Sequence, residues 1–178
     1  MRRRLTSLIL AGAGALLLGI GAPAAFASTS GAHFFSASAS VSTSSSNQGQ
    51  LLLSWDEAGV GNQNVTYSLA ITSESAIYAC YNNGGNHPQA SNKEGPTGPT
   101  TVSLGAFSPI NGRITVKNFP VPGTPLANAT LTCPSGQTLR IVQVTYSLGN
   151  LTDTVNNVSI SLAPGPGCVS FDTKNFPC

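Results

Sequence analysis

The chain is 178 residues long, 40% hydrophobic and only 8% charged, with eight Lys and Arg against six Asp and Glu. So few ionic groups form no basic stripe for a phosphate backbone, which sets nucleic acid aside as a partner. The hydrophobic content and low net charge are the reverse of a disordered composition, and the length suffices for one domain with its own core.

"MRRRLTSLILAGAGALLLGIGAPAAFAS" opens the chain with Arg2, Arg3 and Arg4, an apolar run from Leu5 to about Ile20, and Ala25-Phe26-Ala27. A positive start, a short apolar run and a small-x-small site make a secretory signal. Residues 1–27 are therefore predicted to be cleaved after Ala27, leaving residues 28–178 as a single secreted domain. The arginines also fit a degenerate twin-arginine signal. The apolar run is short for a membrane span and rich in Gly and Ala, and no cysteine follows it to carry a lipid. The expectation is an extracellular protein without a membrane anchor after signal removal. Three of the eight basic residues leave with the signal, so five stand against six acidic ones and the mature net charge is −1.

In the mature part, apolar residues recur at every second position, the period of a half-buried strand. In "HFFSASASVS", Phe35, Ala37, Ala39 and Val41 alternate with serines. "GQLLLSWD" puts Leu51, Leu53 and Trp55 on one face, and "NVTYSLAIT" does the same with Val65, Tyr67, Leu69 and Ile71. Shorter candidates run from Glu74 to Tyr81, Thr101 to Phe107 and Arg113 to Lys117. Further on, "LRIVQVTYSL" aligns Val142, Val144, Tyr146 and Leu148, and "NVSISL" aligns Val158, Ile160 and Leu162. Asn111-Gly112, between "VSLGAF" and "RITV", is the strongest hairpin signal, because both residues accept positive φ. About eight strands with frequent turns predict an all-β fold: an antiparallel β-sandwich, immunoglobulin-like in broad architecture, with a closed barrel as the alternative.

Three segments lack strand character. Thr43 to Gly49, "TSSSNQG", reads as a plain connection. Asn82 to Pro99 reads as a long loop carrying Pro88, Pro96 and Pro99, and long loops in compact domains are uncommon and often functional. "NFPVPGTPLANATLTCPSGQT" is broken by Pro120, Pro122, Pro125 and Pro134.

Cys80, Cys133, Cys168 and Cys178 are the only cysteines, and export takes them to an oxidising compartment. Three pairings are open; sequence proximity favours Cys168 with Cys178, closing the tail "CVSFDTKNFPC", and leaves Cys80 with Cys133. The spacing of cysteines and of His33 and His87 matches no zinc site, and no calcium loop motif occurs, so neither metal nor cofactor is expected. The N-x-[ST] triplets at Asn64, Asn128, Asn150 and Asn157 are read as chance in a chain so rich in Asn, Ser and Thr.

Catalytic patterns are also missing. No G-x-S-x-G is present, and the cysteines are expected to be oxidised. Glycoside hydrolysis needs two carboxyl groups across a cleft, and Asp56-Glu57 reads instead as a turn pair serving solubility. Trp55, in register with Leu51 and Leu53, reads as core rather than as a sugar platform. What remains is the Tyr78 to Lys93 segment, "YACYNNGGNHPQASNK". Its Tyr78, Tyr81, Asn82, Asn83, Asn86 and His87 combine ring faces with flat amides, groups that glycan and peptide surfaces use; they are the binding candidates. The competing reading makes Tyr78 core, Cys80 a staple and the asparagines turn formers.

The Ala25-Phe26-Ala27 signal end, "YACYNNGGNHPQASNKE" and "TCPSGQTLRIVQVTYSLGNLTDT" together resemble small secreted β-rich proteins of actinomycete type. The resemblance implies an exported β-rich domain and carries no catalytic residue over. The function expected from the sequence is a secreted, non-enzymatic binding or cell-surface module whose partner is an extracellular protein or glycan. The alternatives are an inhibitor of a hydrolase and a small secreted hydrolase.

Overall fold

Alternating β-branched and aromatic residues make strands here, and glycine, proline and asparagine interrupt them. The computed structural model describes residues 31–82, 84 and 88–178. The signal read at residues 1–27 and the candidates Asn83, Asn86 and His87 lie outside these. The strands are β1 (His33–Val41), β2 (Leu51–Ala58), β3 (Val65–Asn82), β4 (Pro88–Thr97), β5 (Thr100–Phe107), β6 (Arg113–Pro120), β7 (Gln137–Asp153), β8 (Val158–Ser161) and β9 (Gly167–Ser170). They form two antiparallel sheets, one of three strands ordered β1-β2-β6 and one of six. The protein is an all-β sandwich, and no helix among the described residues is long and apolar enough to cross a membrane.

The six strands of the larger sheet occupy only four ranks. β3 and β7 are its long central pair, of 18 and 17 residues. β4 and β5 run end to end along the outer edge of β3, β4 against Glu74–Tyr81 and β5 against Val65–Ile71. In the same way β8 and β9 run end to end along β7. The smaller sheet has strands of eight or nine residues, so it covers only one half of the larger one.

In that half, Leu51, Leu53 and Trp55 of β2 face Val65, Tyr67, Leu69 and Ile71 of β3 and Val144, Tyr146, Leu148 and Leu151 of β7, all buried. Trp55 is core: its ring packs 5.0 Å from Tyr67, 5.1 Å from Phe107 and 6.0 Å from Phe119, centroid to centroid. Tilted and edge-on pairs at such distances stabilise beyond the area they bury.

In the far half, two irregular segments replace the missing sheet. Residues 121–136 cover the inner face: Tyr78 Oη donates to Leu126 O at 2.6 Å, Leu126 N donates to Glu74 Oε1 at 2.8 Å, and Cys80 bonds Cys133. The C-terminal tail covers the outer face, where Phe176 and Ile77 pack against the cluster of Ala79, Tyr81 and Val142, and Gln143 donates to the carbonyls of Phe176 and Pro177. Cys168 bonds Cys178 and closes that tail. Each covering segment is therefore held by a disulfide.

Four local expectations need correction. On β1 the inward residue is Phe34, not Phe35: a bulge between Phe34 and Ser36 reverses the alternation, leaving Phe35 59% exposed while Ala37, Ala39 and Val41 still pack on the core. The segments read as separate strands at residues 64–72 and 74–81 are one strand, β3, bent at irregularities between Leu69 and Ser73. The supposed loop from Asn82 to Pro99 is largely β4. It has no apolar alternation because its residues are held by pairing with β3 and by side-chain bonds: Asn92 Nδ2 donates to Thr130 Oγ1 and to Glu94 Oε1, both at 2.6 Å. Asn111 and Gly112 do turn the chain with φ of 52° and 73°, closed by mutual backbone bonds between Ile110 and Arg113. They do not make a hairpin of their flanking strands, since β5 and β6 belong to different sheets.

Candidate functional site

Spacing along a strand decides what the sequence candidates can present. Tyr78 and Tyr81 are three residues apart, so on an extended backbone they point to opposite faces. Tyr78 faces inward, half-buried, under residues 121–136. Tyr81 faces outward and is 5% exposed, with its hydroxyl on Asp172 and the Arg140 guanidinium 5.3 Å above its ring. Burial, with the Asp172 carboxylate beside it, pushes the Tyr81 phenol up to about 12. Asn175 and Tyr81 both donate to Asp172 and hold its carboxyl below the usual range. Asn82 ends β3 opposite Gln137. The two rings that nominated this segment thus tie the covering segments down, and their faces are occupied.

The same end of the sandwich carries a groove one strand away. Register places Leu139 opposite Cys80 and Ile141 opposite Tyr78. These residues of β7, the β1–β2 connection and the start of residues 121–136 enclose about 700 Å³, lined by Ser45, Ser46, Asn47, Gln48, Gln50, Thr124, Pro125, Leu139, Arg140 and Ile141. Ligand sites commonly enclose ~300–1,000 Å³.

The β1–β2 connection is fixed by its own chemistry. Gly49 N donates to Ser42 O at 2.9 Å, Ser42 N to Gln50 O at 2.8 Å, and Ser42 Oγ to Asn47 Oδ1 at 2.8 Å. Gly49 adopts φ of 87°, and a Cβ there would stand 2.7 Å from Ile141 Cδ1, so only glycine fits both the left-handed backbone and the approach to β7. From across the core, Tyr146 Oη donates to Gly49 O at 2.7 Å. Burial, with the nearby Glu74 charge, raises the Tyr146 phenol, which therefore stays a donor. Thr124 Oγ1 accepts from Leu51 N at 3.1 Å and donates to Val121 O at 2.9 Å, locking the opposite wall.

The groove thus offers hydroxyls and primary amides around a floor of Pro125, Leu139 and Ile141. Leu139 is a large apolar side chain left 38% exposed. Arg140 is the one ionic residue in the described lining, which holds no carboxylate, histidine or thiol. The sequence had placed attention on the neighbouring strand. The available signal was the dense run of hydroxyls and amides in "TSSSNQGQ", read as a plain connection, near a strand whose first apolar residues are Leu139 and Ile141.

Acidic residues converge elsewhere, at the opposite end of the sandwich. The expectation that Asp56-Glu57 forms an exposed turn pair is wrong. Both lie on β2, where Asp56 points out and binds Arg113, Nε to Oδ1 at 2.7 Å, and Glu57 points in and is fully buried. Tyr67 Oη donates to Glu57 Oε2 at 2.6 Å, while Oε1 has no hydrogen-bond partner among the described residues. Burial raises the Glu57 carboxyl to about 7, and the charge of Asp153 pushes in the same direction. Asp153, also fully buried, accepts from Val155 N at 2.8 Å, Asn156 N at 2.9 Å and Asn156 Nδ2 at 2.6 Å. These carboxyls have no exposed surface through which to touch a substrate. Their role is in the core.

Compared with protein-family models, with curated proteins and with solved structures, the chain matches none of them.

Proposed function

We propose that the protein is an exported, non-enzymatic binding domain, and that its groove between the β1–β2 connection and the start of β7 takes a neutral glycan. The observation that carries this is the lining: six hydroxyl and amide side chains over an apolar floor, with Arg140 the one ionic residue. Amides and hydroxyls donate and accept to sugar hydroxyls without a charge to neutralise, and the leucine and isoleucine suit the apolar face of a sugar ring. The hydrogen bonds that fix the connection before any ligand arrives lower the ordering entropy lost on binding.

Export rests on the leader sequence and on two disulfides, which persist in oxidising compartments. The strand order supports an immunoglobulin-like arrangement. β2 lies between β1 and β6 as strand B lies between A and E, and β3-β7-β8 follow one another as C, F and G do. On that ordering the groove lies at the end of the sandwich opposite the one antibodies use, among the A–B and E–F connections.

The test is binding of the secreted protein to a panel of neutral gluco-, xylo- and manno-oligosaccharides, with Gln48→Ala and Leu139→Asp as groove variants. Each variant is expected to weaken binding about tenfold, the scale of losing a contact worth somewhat over 1 kcal/mol. Asp56→Asn, at the other end, serves as the control. Equal binding by all four proteins would remove the groove from the account.

A further inference from the structure

Strand edges present unpaired backbone donors and acceptors, and proteins ordinarily defend them with charge, proline, distortion or brevity. Among the described strands, most edges of this sandwich are defended. β4 carries Lys93, Glu94, Pro88 and Pro96; β6 carries Arg113, Lys117 and Pro120, with Asn118 at φ of 50°. β5 is distorted at Gly105, φ 89°, where its register with β3 shifts. β8 and β9 are four residues each.

β1 is the exception. It is nine residues long, pairs only with β2 among the described residues, and from Phe34 to Val41 holds no charged residue, no proline and no positive φ. Its one irregularity, between Phe34 and Ser36, lies near the beginning and leaves the stretch from Ser36 onward in continuous register with β2. The inward residues Phe34, Ala37, Ala39 and Val41 are only partly buried although they pack on the core. β8 lies close to β1 without backbone pairing, and a recess of about 350 Å³ between them is lined by Ala32, His33, Phe34, Val158, Ser159 and Ile160, at the start of β1 and not along Ser36–Ser40.

The order of residues selects the occupant. Ser36-Ala37-Ser38-Ala39-Ser40 reads the same in both directions. An antiparallel copy placed about a two-fold axis at Ser38 therefore sets Ser36 opposite Ser40, Ala37 opposite Ala39 and Ser38 opposite itself. Serines stay on the wet face and alanines on the core face, so the inward and outward sets agree across the junction. Serines directly opposite can bond through their hydroxyls, and no like charges meet. A two-fold contact requires this self-complementarity, whereas an unrelated strand would have no reason to match a palindrome.

We propose that β1 is an association edge for a second copy of this chain, joining two three-stranded sheets into one continuous sheet ordered β6-β2-β1-β1-β2-β6. No residue of β1 lines the groove, which is built from residues 45–50, 124–125 and 139–141.

Sedimentation equilibrium of the mature protein, up to about 1 mM, tests this, since that concentration reaches even weak pairing. Ser38 is exposed, so Ser38→Lys and Ser38→Glu should both fold, as circular dichroism would verify. The wild type is expected to dimerise. Each variant alone should dimerise about fivefold more weakly, from like charges directly opposite, and an equimolar mixture of the two should recover the wild-type affinity or exceed it. A wild type monomeric throughout, variants that dimerise as the wild type does, or a mixture no tighter than its components would each overturn the proposal. The last result would place the contact on another surface.

Discussion

Glu57 should make the stability of this protein fall as the pH rises through the mildly acidic range. The ordinary value for this carboxyl is 4.5, and burial with Asp153 nearby raises it to about 7 in the folded state. Below pH 4.5 both folded and unfolded chains hold the proton, and nothing is lost. Between 4.5 and 7 the unfolded chain releases the proton while the folded chain keeps it, so unfolding is favoured progressively. Above 7 both are ionised and the dependence levels off. A difference of about 2.5 pH units at ~1.4 kcal/mol per unit gives a loss of about 3 kcal/mol across the window. For a domain of this size that corresponds to roughly 6–12 °C in Tm. Glu74, also raised by burial, adds in the same sense, while Asp56 and Asp172 are lowered and act only at more acidic pH, where their stabilisation is lost as the pH falls. The decisive comparison is therefore between the wild type and Glu57→Gln, which keeps an acceptor for Tyr67 Oη but cannot ionise. Denaturant unfolding with both disulfides intact, at intervals from pH 4.5 to 8, should show the difference in stability between the two proteins changing by about 3 kcal/mol. A difference that stays constant with pH would refute the placement of Glu57 as a protonated core residue.

Trp55→Ala should cost about 3–5 kcal/mol, because the ring fills the space between Tyr67, Phe107 and Phe119; chemical denaturation measures this, and a loss below about 1 kcal/mol would mean the aromatic cluster is not packed as described. Replacing Cys80 and Cys133 together by Ala should cost about 4 kcal/mol on the chain-entropy model and open residues 121–136 to proteolysis, whereas the shorter Cys168–Cys178 loop should cost about 3 kcal/mol. Limited proteolysis of both double variants distinguishes them, since only the first should release cuts within residues 121–136.

Strands buried on one face were legible in the sequence because burial imposes the period that reveals them. Leu51, Leu53 and Trp55, the Val65 to Ile71 set and Val144, Tyr146 and Leu148 lie on the faces their alternation indicated. Val142, read with the last set, instead packs with Ala79 and Tyr81 on the other face, because the β3–β7 register shifts beside it. β4 was illegible for the converse reason: pairing at an edge and hydrogen bonds from Asn92 and Glu94 hold it, and neither leaves an apolar period. A single bulge was enough to exchange Phe34 for Phe35, since side-chain direction depends on the count of residues. Glu57 was read as polar turn chemistry because a buried carboxyl is unusual and its partner Tyr67 is ten positions away. The groove was missed for a related reason. Its walls come from residues 45–50, 124–125 and 139–141, brought together by the Tyr146 and Thr124 hydrogen bonds across the fold.

The most direct measurement on the account is a titration of the ¹⁵N-labelled mature protein, followed by NMR, with the neutral oligosaccharide bound best in the panel. A neutral glycan seated in the groove should produce saturable shifts at the amides of residues 45–50, 124 and 139–141, with β4 and the Asn111-Gly112 turn unmoved. Shifts confined to another surface, or none with any member of the panel at millimolar concentration, would contradict the groove as the binding site.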